Sequence, residues 1–74
     1  MSPALADLPR RRVENALKAA GFAHTRTKGS HAVFRNASGR VVVVPQHDTI
    51  KRGTLASILR QAGLTSAEFQ RLLK

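Results

Sequence analysis

The sequence predicts an α+β domain in which helices cover one face of a three-stranded antiparallel sheet. Apolar residues recur at helical spacing near both ends of the chain, and β-rich runs bounded by turn residues lie between them, within residues 22–45. With 74 residues and 42% hydrophobic residues, the chain has ordinary globular composition and the length of one domain, residues 1–74. The expected order, α-β-β-β-α-α, gives a two-layer sandwich because the helices are segregated from the strands.

The first helix is predicted between Asp7 and Gly21. Asp7 is expected to cap it, with Pro9 in the first turn, where a missing N–H costs nothing. One apolar face follows from residues at helical spacing, namely Val13, Ala16, Leu17 and Ala20. Gly21 suits the left-handed position that ends a helix, and Phe22 can fold back onto its last turn.

A two-residue turn at Lys28-Gly29 predicts the first hairpin. This turn would place Arg26 opposite His31 and His24 opposite Val33. His24 and Arg26 would then lie on the same sheet face as His31.

A three-residue turn from Ala37 to Gly39 predicts the second hairpin. It would place Phe34 opposite Val42 and Ala32 opposite Val44, and these four residues would face the helices. The opposite face would carry His24, Arg26, His31, Val33, Arg35, Val41 and Val43. Its valines offer a docking stripe for a protein partner. A slip of one residue would exchange the two faces.

Two further helices are predicted after the strands. An apolar stripe of Leu55, Ile58, Leu59 and Ala62 is stopped by Gly63. Thr65 and Glu68 have the spacing of a capping box, and Leu64 and Phe69 have that of a hydrophobic staple. The last helix is expected to run through Leu72 and Leu73.

The charge balance favours a polyanionic partner. Thirteen Lys and Arg residues against four Asp and Glu give a formal net charge of +9, which is the electrostatic footprint of nucleic-acid binding. An acidic protein partner is compatible with the same charge. The absence of Cys excludes disulfides and thiolate metal sites. With no long apolar run and no signal-peptide core, the sequence predicts no membrane partner and a cytoplasmic location.

His31 is the first candidate for chemistry, because it follows a Lys-Gly-Ser turn and has cationic residues nearby. A histidine there can take a proton from a ribose 2′-hydroxyl or give one to a leaving 5′-oxygen. The cations Arg26, Lys28 and Arg35 can bind the phosphate and stabilise its growing charge. From the residues alone, a solvent-facing strand histidine without a role is the simpler interpretation.

The remaining polar candidates each have a structural alternative. Gly29 and Ser30 offer backbone amides and a hydroxyl to a phosphate, or form only a hairpin turn. His47 is a second acid/base or phosphate contact, or a loop residue. Lys51 precedes a helix N-terminus that favours an anion, or only starts the helix. A three-histidine zinc site lacks any close-spaced ligand pair, so no metal is predicted.

Five motifs occur in an order that resembles a known family. They are Ala-Gly-Phe at 20–22, Lys-Gly-Ser-His at 28–31, Val-Pro-x-His at 44–47, Gly-Thr-Leu-x-x-Ile-Leu at 53–59 and Ala-Gly-Leu-Thr-x-x-Glu-Phe at 62–69. Together, from Val13 to Leu73, they resemble the HicA family of mRNA interferase toxins from type II toxin–antitoxin (HicAB) systems. The residues before the first helix lie outside the resemblance.

The resemblance implies a double-stranded-RNA-binding-domain-like fold and a metal-independent endoribonuclease that needs no cofactor and inhibits translation by cleaving mRNA. The family's catalytic histidine, that of the Gly-Ser-His motif, corresponds to His31. A HicB-type antitoxin, which covers the active region, is the implied protein partner. Many relatives carry a second histidine where this chain has Ala32, which the predicted register buries. The RNA-binding residues are expected to be Arg26, Lys28, Gly29, Ser30, Arg35, His47 and Lys51.

The alternative is a non-catalytic RNA-binding module of the double-stranded-RNA-binding-domain type. It shares the fold and the charge, since such domains bind RNA through its shape and backbone. Such a module would keep its activity after loss of the His31 imidazole.

Overall fold

The computed structural model describes residues 5–73 and has the predicted α+β architecture. Three helices are present: α1 (Arg10–Ala19), α2 (Arg52–Ala62) and α3 (Ser66–Leu72). The strands are β1 (Leu8–Pro9), β2 (Ala23–Lys28), β3 (His31–Arg35), β4 (Val41–Pro45) and β5 (Thr49–Ile50). Strands β2, β3 and β4 form the antiparallel sheet, with β3 in the middle, so the predicted order α-β-β-β-α-α is confirmed. Residues 1–4 and 74 of the predicted domain lie outside the described residues.

A second, two-stranded pairing was not predicted. β1 and β5 pair antiparallel, with Leu8 opposite Ile50 and Pro9 opposite Thr49. The amide of Arg10 extends this pairing by donating to the carbonyl of Asp48 at 2.9 Å. Two residues are too few to show a strand periodicity. The pairing joins the segment before α1 to the segment before α2.

The predicted role of Asp7 at the first helix is wrong. Pro9 occupies the N-cap position of α1, ahead of the first turn, and no side chain caps that helix. Asp7 Oδ1 instead accepts a hydrogen bond from the amide of Arg52, at the first turn of α2, at 2.8 Å. The pairing of Leu8 with Ile50 brings Asp7 beside that helix start. Asp7 therefore caps α2, which is distant in sequence but adjacent in space.

The predicted second hairpin and core face are confirmed. Ala32 lies opposite Val44 and Phe34 opposite Val42, and all four side chains are at most 2% exposed. They pack with the apolar faces of the helices, namely Val13, Ala16, Leu17, Leu55, Ile58, Leu59, Ala62 and Phe69. The helices therefore cover one face of the sheet and leave the other uncovered by any described element.

The predicted turn of the first hairpin is wrong by one position. Lys28, not Arg26, lies opposite His31, so Gly29 and Ser30 form the two-residue turn. Gly29 has a φ of +58°. A glycine with positive φ at the first of two turn positions is the arrangement that type II′ hairpins favour. The glycine therefore sets the turn, one residue later than predicted from the sequence.

A β-bulge at Thr25 changes the face of His24. Arg26 lies opposite Val33, but the register shifts before it, and His24 lies opposite Phe34. The Thr25 hydroxyl donates to the carbonyl of Val33 at 3.1 Å, which holds the extra residue in place. Because a bulge inserts one residue into the alternation, His24 lies on the helix side of the sheet. The prediction that it shares a face with His31 is wrong.

The start of α3 confirms the predicted capping box. The amide of Glu68 donates to Thr65 Oγ1 at 3.0 Å, and the amide of Thr65 donates to Glu68 Oε1 at 2.8 Å. The hydrogen bond from the backbone of Thr65, then that from its side chain, lower the pKa of Glu68 below its ordinary value of 4.5. The cation of Arg71 acts in the same direction, while partial desolvation opposes it.

Acidification is expected to weaken this cap. Because the pKa of Glu68 is lower in the folded chain, the cap contributes stability above pH 4.5 that is lost as the pH falls through the folded pKa. Urea unfolding of the wild type and Glu68→Gln between pH 7 and pH 3 measures the difference. The free-energy gap between the two should narrow below pH 4.5. A gap that stays constant over this range would contradict the assignment.

Candidate RNA-facing site

The uncovered face of the sheet, which we call the outer face, brings four of the eight predicted site residues together. Cross-strand partners share a face, so the register defines three rows across β2, β3 and β4. The first row is Lys28, His31 and Pro45; the second is Arg26, Val33 and Val43; the third is Ala23, Arg35 and Val41. The outer face therefore carries three cations and a histidine, and none of these nine residues is acidic.

His31 lies at the end of this face, as the first residue of β3. Its side chain is exposed, and Lys28 lies directly opposite on β2. Arg26 is the diagonal neighbour, within about 7–8 Å in an antiparallel pair. A phosphate group beside His31 can therefore be reached by Lys28 and Arg26 together. Cations so placed stabilise the negative charge that develops on a phosphorane.

Arg35 lies further from His31 than the other two cations that were predicted to bind the phosphate. The two residues are four positions apart on the same strand, which is about 13 Å along β3. Arg35 lies opposite Val41, whose side chain is 42% exposed. Arg35 therefore extends the basic surface along the sheet, away from His31.

Gln46 fixes the turn that precedes His31, a role that was not predicted from the sequence. Its amide donates to the carbonyl of Ser30 at 2.7 Å. Its side-chain Nε2 donates to Glu14 Oε2 at 3.1 Å and to the carbonyl of Val44 at 3.0 Å. The Gly29-Ser30 turn is thus tied to the end of β4 and, through Glu14, to α1. The one sequence feature that pointed to this role is that Gln46 directly follows Pro45, the residue opposite His31.

His47 and Lys51 lie on the segment that leaves the sheet. His47 is exposed and follows Pro45, the cross-strand neighbour of His31, by two residues. Lys51 is exposed at the N-cap position of α2. The amide of Arg52 at that helix start already bonds the carboxylate of Asp7. The sheet register places neither His47 nor Lys51 in the row that contains His31.

The three histidines are not gathered around one point. His24 lies on the helix side of the sheet, whereas His31 lies on the outer face. Within residues 5–73, no three His, Asp or Glu side chains are close enough to hold a metal ion together. In the same range, none of the helices has the length and apolar character that a membrane crossing needs.

Comparison with known proteins identifies the family. Residues 10–64, more than half of the chain, match the family model described as HicA toxin of bacterial toxin–antitoxin. The matched range runs from the start of α1 through Leu64, beyond the end of α2, and contains His31 and the whole sheet. No curated protein matches the chain significantly. Membership of a toxin–antitoxin family implies an antitoxin partner. The chain belongs to the HicA family of bacterial toxin–antitoxin toxins.

Proposed function

We propose that this protein is an mRNA interferase, an endoribonuclease toxin that cleaves RNA with His31 as its acid/base group. The observation that carries the proposal is the position of His31 on the outer face. The imidazole is exposed at a strand start, directly opposite Lys28 and diagonal to Arg26. Family membership supports a toxin, and the net charge of +9 supports a polyanionic substrate.

The proposed reaction is attack of a ribose 2′-oxygen on the adjacent phosphorus. The new bond joins the 2′-oxygen to phosphorus, and the bond from phosphorus to the 5′-oxygen breaks. His31 either takes the proton from the 2′-hydroxyl or gives one to the 5′-oxygen, and the other oxygen exchanges its proton with His47 or solvent. The products are a 2′,3′-cyclic phosphate, which can open to a 3′-phosphate, and a 5′-hydroxyl end.

The cations of the outer face supply binding and charge stabilisation. Lys28 and Arg26 meet the scissile phosphate, and Arg35 binds a phosphate further along the strand direction. Gly29 and Ser30 offer backbone amides at the turn, and His47 and Lys51 continue the basic surface beyond β4. The proposed reaction needs no metal ion, because both proton transfers use protein groups or solvent.

We also propose that a HicB-type antitoxin neutralises the toxin by covering the outer face. The valines Val33, Val41 and Val43 form an apolar stripe there, and Val41 is 42% exposed. Cations flank this stripe, so an antitoxin with an acidic surface would bury the valines and pair with Arg26 and Arg35. Such a contact would exclude RNA from His31.

Product analysis tests the proposed activity. The purified chain, free of antitoxin, is incubated with a long unstructured RNA in excess EDTA. The fragments are then examined for 2′,3′-cyclic or 3′-phosphate and 5′-hydroxyl ends. We expect cleavage in EDTA with these ends. Cleavage that requires Mg²⁺ and leaves 5′-phosphates would overturn the mechanism, and RNA binding without cleavage would favour a non-catalytic RNA-binding module.

A further inference from the structure

A pocket of about 250 Å³ lies on the helix side of the sheet, where the first hairpin meets α1. It is lined by Glu14, Lys18, His24, Thr27, Ala32, Phe34 and Gln46. Ala32 and Phe34 are buried and form its apolar part, while the others are polar and come from α1, from β2 and from the residue that follows β4. None of the predicted RNA-binding residues lines this pocket.

His24 gives the pocket an aromatic surface. Its ring meets Phe34 edge-on, with centroids 5.5 Å apart and planes at 62°. Its Nε2 lies 2.8 Å from Thr27 Oγ1, so both a ring contact and a hydrogen bond fix its orientation. The side chain is nevertheless exposed. A fixed, accessible aromatic ring is the kind of surface on which an unstacked nucleobase packs.

Glu14 gives the pocket a hydrogen-bond acceptor. The Glu14 side chain is 19% exposed, and the contacts of its carboxylate with Gln46 Nε2 at 3.1 Å and Arg10 Nε at 3.9 Å both use Oε2. Among residues 5–73, no hydrogen bond or ion pair uses Oε1, which can accept a hydrogen bond from a ligand that presents N–H groups. Lys18, one turn further along α1, adds a cation at the rim. Together with the aromatic ring, these groups suit a planar ligand with a polar edge.

We propose that this pocket binds one unstacked nucleobase of the RNA substrate, stacked on His24 with an N–H edge against Glu14. The inference rests on the proposed function, because RNA is the ligand. Ala32 in the pocket directly follows His31, and Thr27 directly precedes Lys28. The pocket and His31 therefore lie on opposite faces of the same end of the hairpin. β2 is an edge strand, so an RNA strand that passes around it reaches both.

The proposal predicts base selectivity that depends on His24 and Glu14. Binding is measured by NMR titration with the four nucleoside monophosphates, which contain no phosphodiester bond to cleave, and with ribose 5-phosphate. We expect His24→Ala to lower the affinity for the preferred nucleotide on the order of tenfold, because one base–aromatic stacking contact is lost. We expect Glu14→Gln to change the ranking of the bases. Ribose 5-phosphate should bind more weakly than the preferred nucleotide.

Arg11→Ala is the matched control for charge. Arg11 is exposed on α1 and does not line the pocket. Its loss should therefore lower the affinity for every ligand by the same factor, including that for ribose 5-phosphate. Equal affinity of His24→Ala and its parent for every nucleotide would overturn the proposal, as would ribose 5-phosphate binding as tightly as the nucleotides. Base-selective binding by a chain that cleaves no RNA would support the pocket and reject the nuclease.

Discussion

Replacing His31 with alanine is expected to lower the rate of RNA cleavage by about 10²–10⁴-fold, the usual contribution of one positioned acid/base group. The imidazole is exposed at the start of β3, so its removal should change the free energy of unfolding by less than about 0.5 kcal/mol. RNA affinity should fall little, because the cations Lys28, Arg26 and Arg35 remain. Single-turnover cleavage in EDTA and a parallel binding titration separate the two effects.

Two further variants show whether the loss of cleavage rate is specific to the imidazole of His31. Lys28→Ala removes the cation opposite His31 and should weaken RNA binding and reduce its salt dependence by about one phosphate contact. His47→Ala removes another exposed histidine, two residues beyond the cross-strand neighbour of His31. If His31→Ala kept the wild-type rate while His47→Ala lost it, the proton transfer would belong to His47.

The parts of the fold that the sequence predicted correctly are those fixed by long periodic patterns and by turn length. The helical spacing of Val13, Ala16 and Leu17 determined the buried face of α1, because only that face is continuously apolar. The three-residue turn from Ala37 to Gly39 fixed the register of the second hairpin. Only this register places the apolar side chains of both strands on the same, helix-facing side of the sheet. Burial specified this hairpin strongly.

The first hairpin was specified less well because β2 has no buried residue. All six of its residues are exposed, so no apolar face selects between neighbouring registers. The turn glycine and the bulge at Thr25 decide the pairing instead, and a polar strand gives no periodic signal for either. The consequence reaches the candidate sites, because the correct register places Lys28 beside His31 and moves His24 to the pocket.

Contacts between residues distant in sequence account for the other differences. Asp7 has the residue type and position of a cap for α1, yet the β1–β5 pairing places it at the first turn of α2. Glu14 and Gln46 are 32 positions apart and meet only because α1 packs beside the end of β4. Capping and hydrogen-bond partners that are distant in sequence depend on the tertiary arrangement, which a local sequence pattern does not predict.

Replacing Phe69 with alanine is expected to destabilise the protein by about 3–5 kcal/mol, the usual cost of removing a buried phenylalanine side chain. Phe69 is fully buried, although α3 lies beyond residues 10–64, which match the family model. A 74-residue domain has a free energy of unfolding of about 4–11 kcal/mol. One side chain of α3 therefore accounts for a large part of the total, and α3 belongs to the folding unit.

Urea unfolding measures this loss, with Arg71→Ala as the control on the same helix, because Arg71 is exposed and should change stability by less than about 0.5 kcal/mol. Equal midpoints for Phe69→Ala and Arg71→Ala would show that α3 contributes nothing to the core. Because Phe69 lies in the core and the outer face is on the other side of the sheet, the effect on cleavage should follow the folded fraction alone. Cooling or a neutral osmolyte such as sucrose should therefore restore activity to Phe69→Ala but leave the cleavage rate of His31→Ala low.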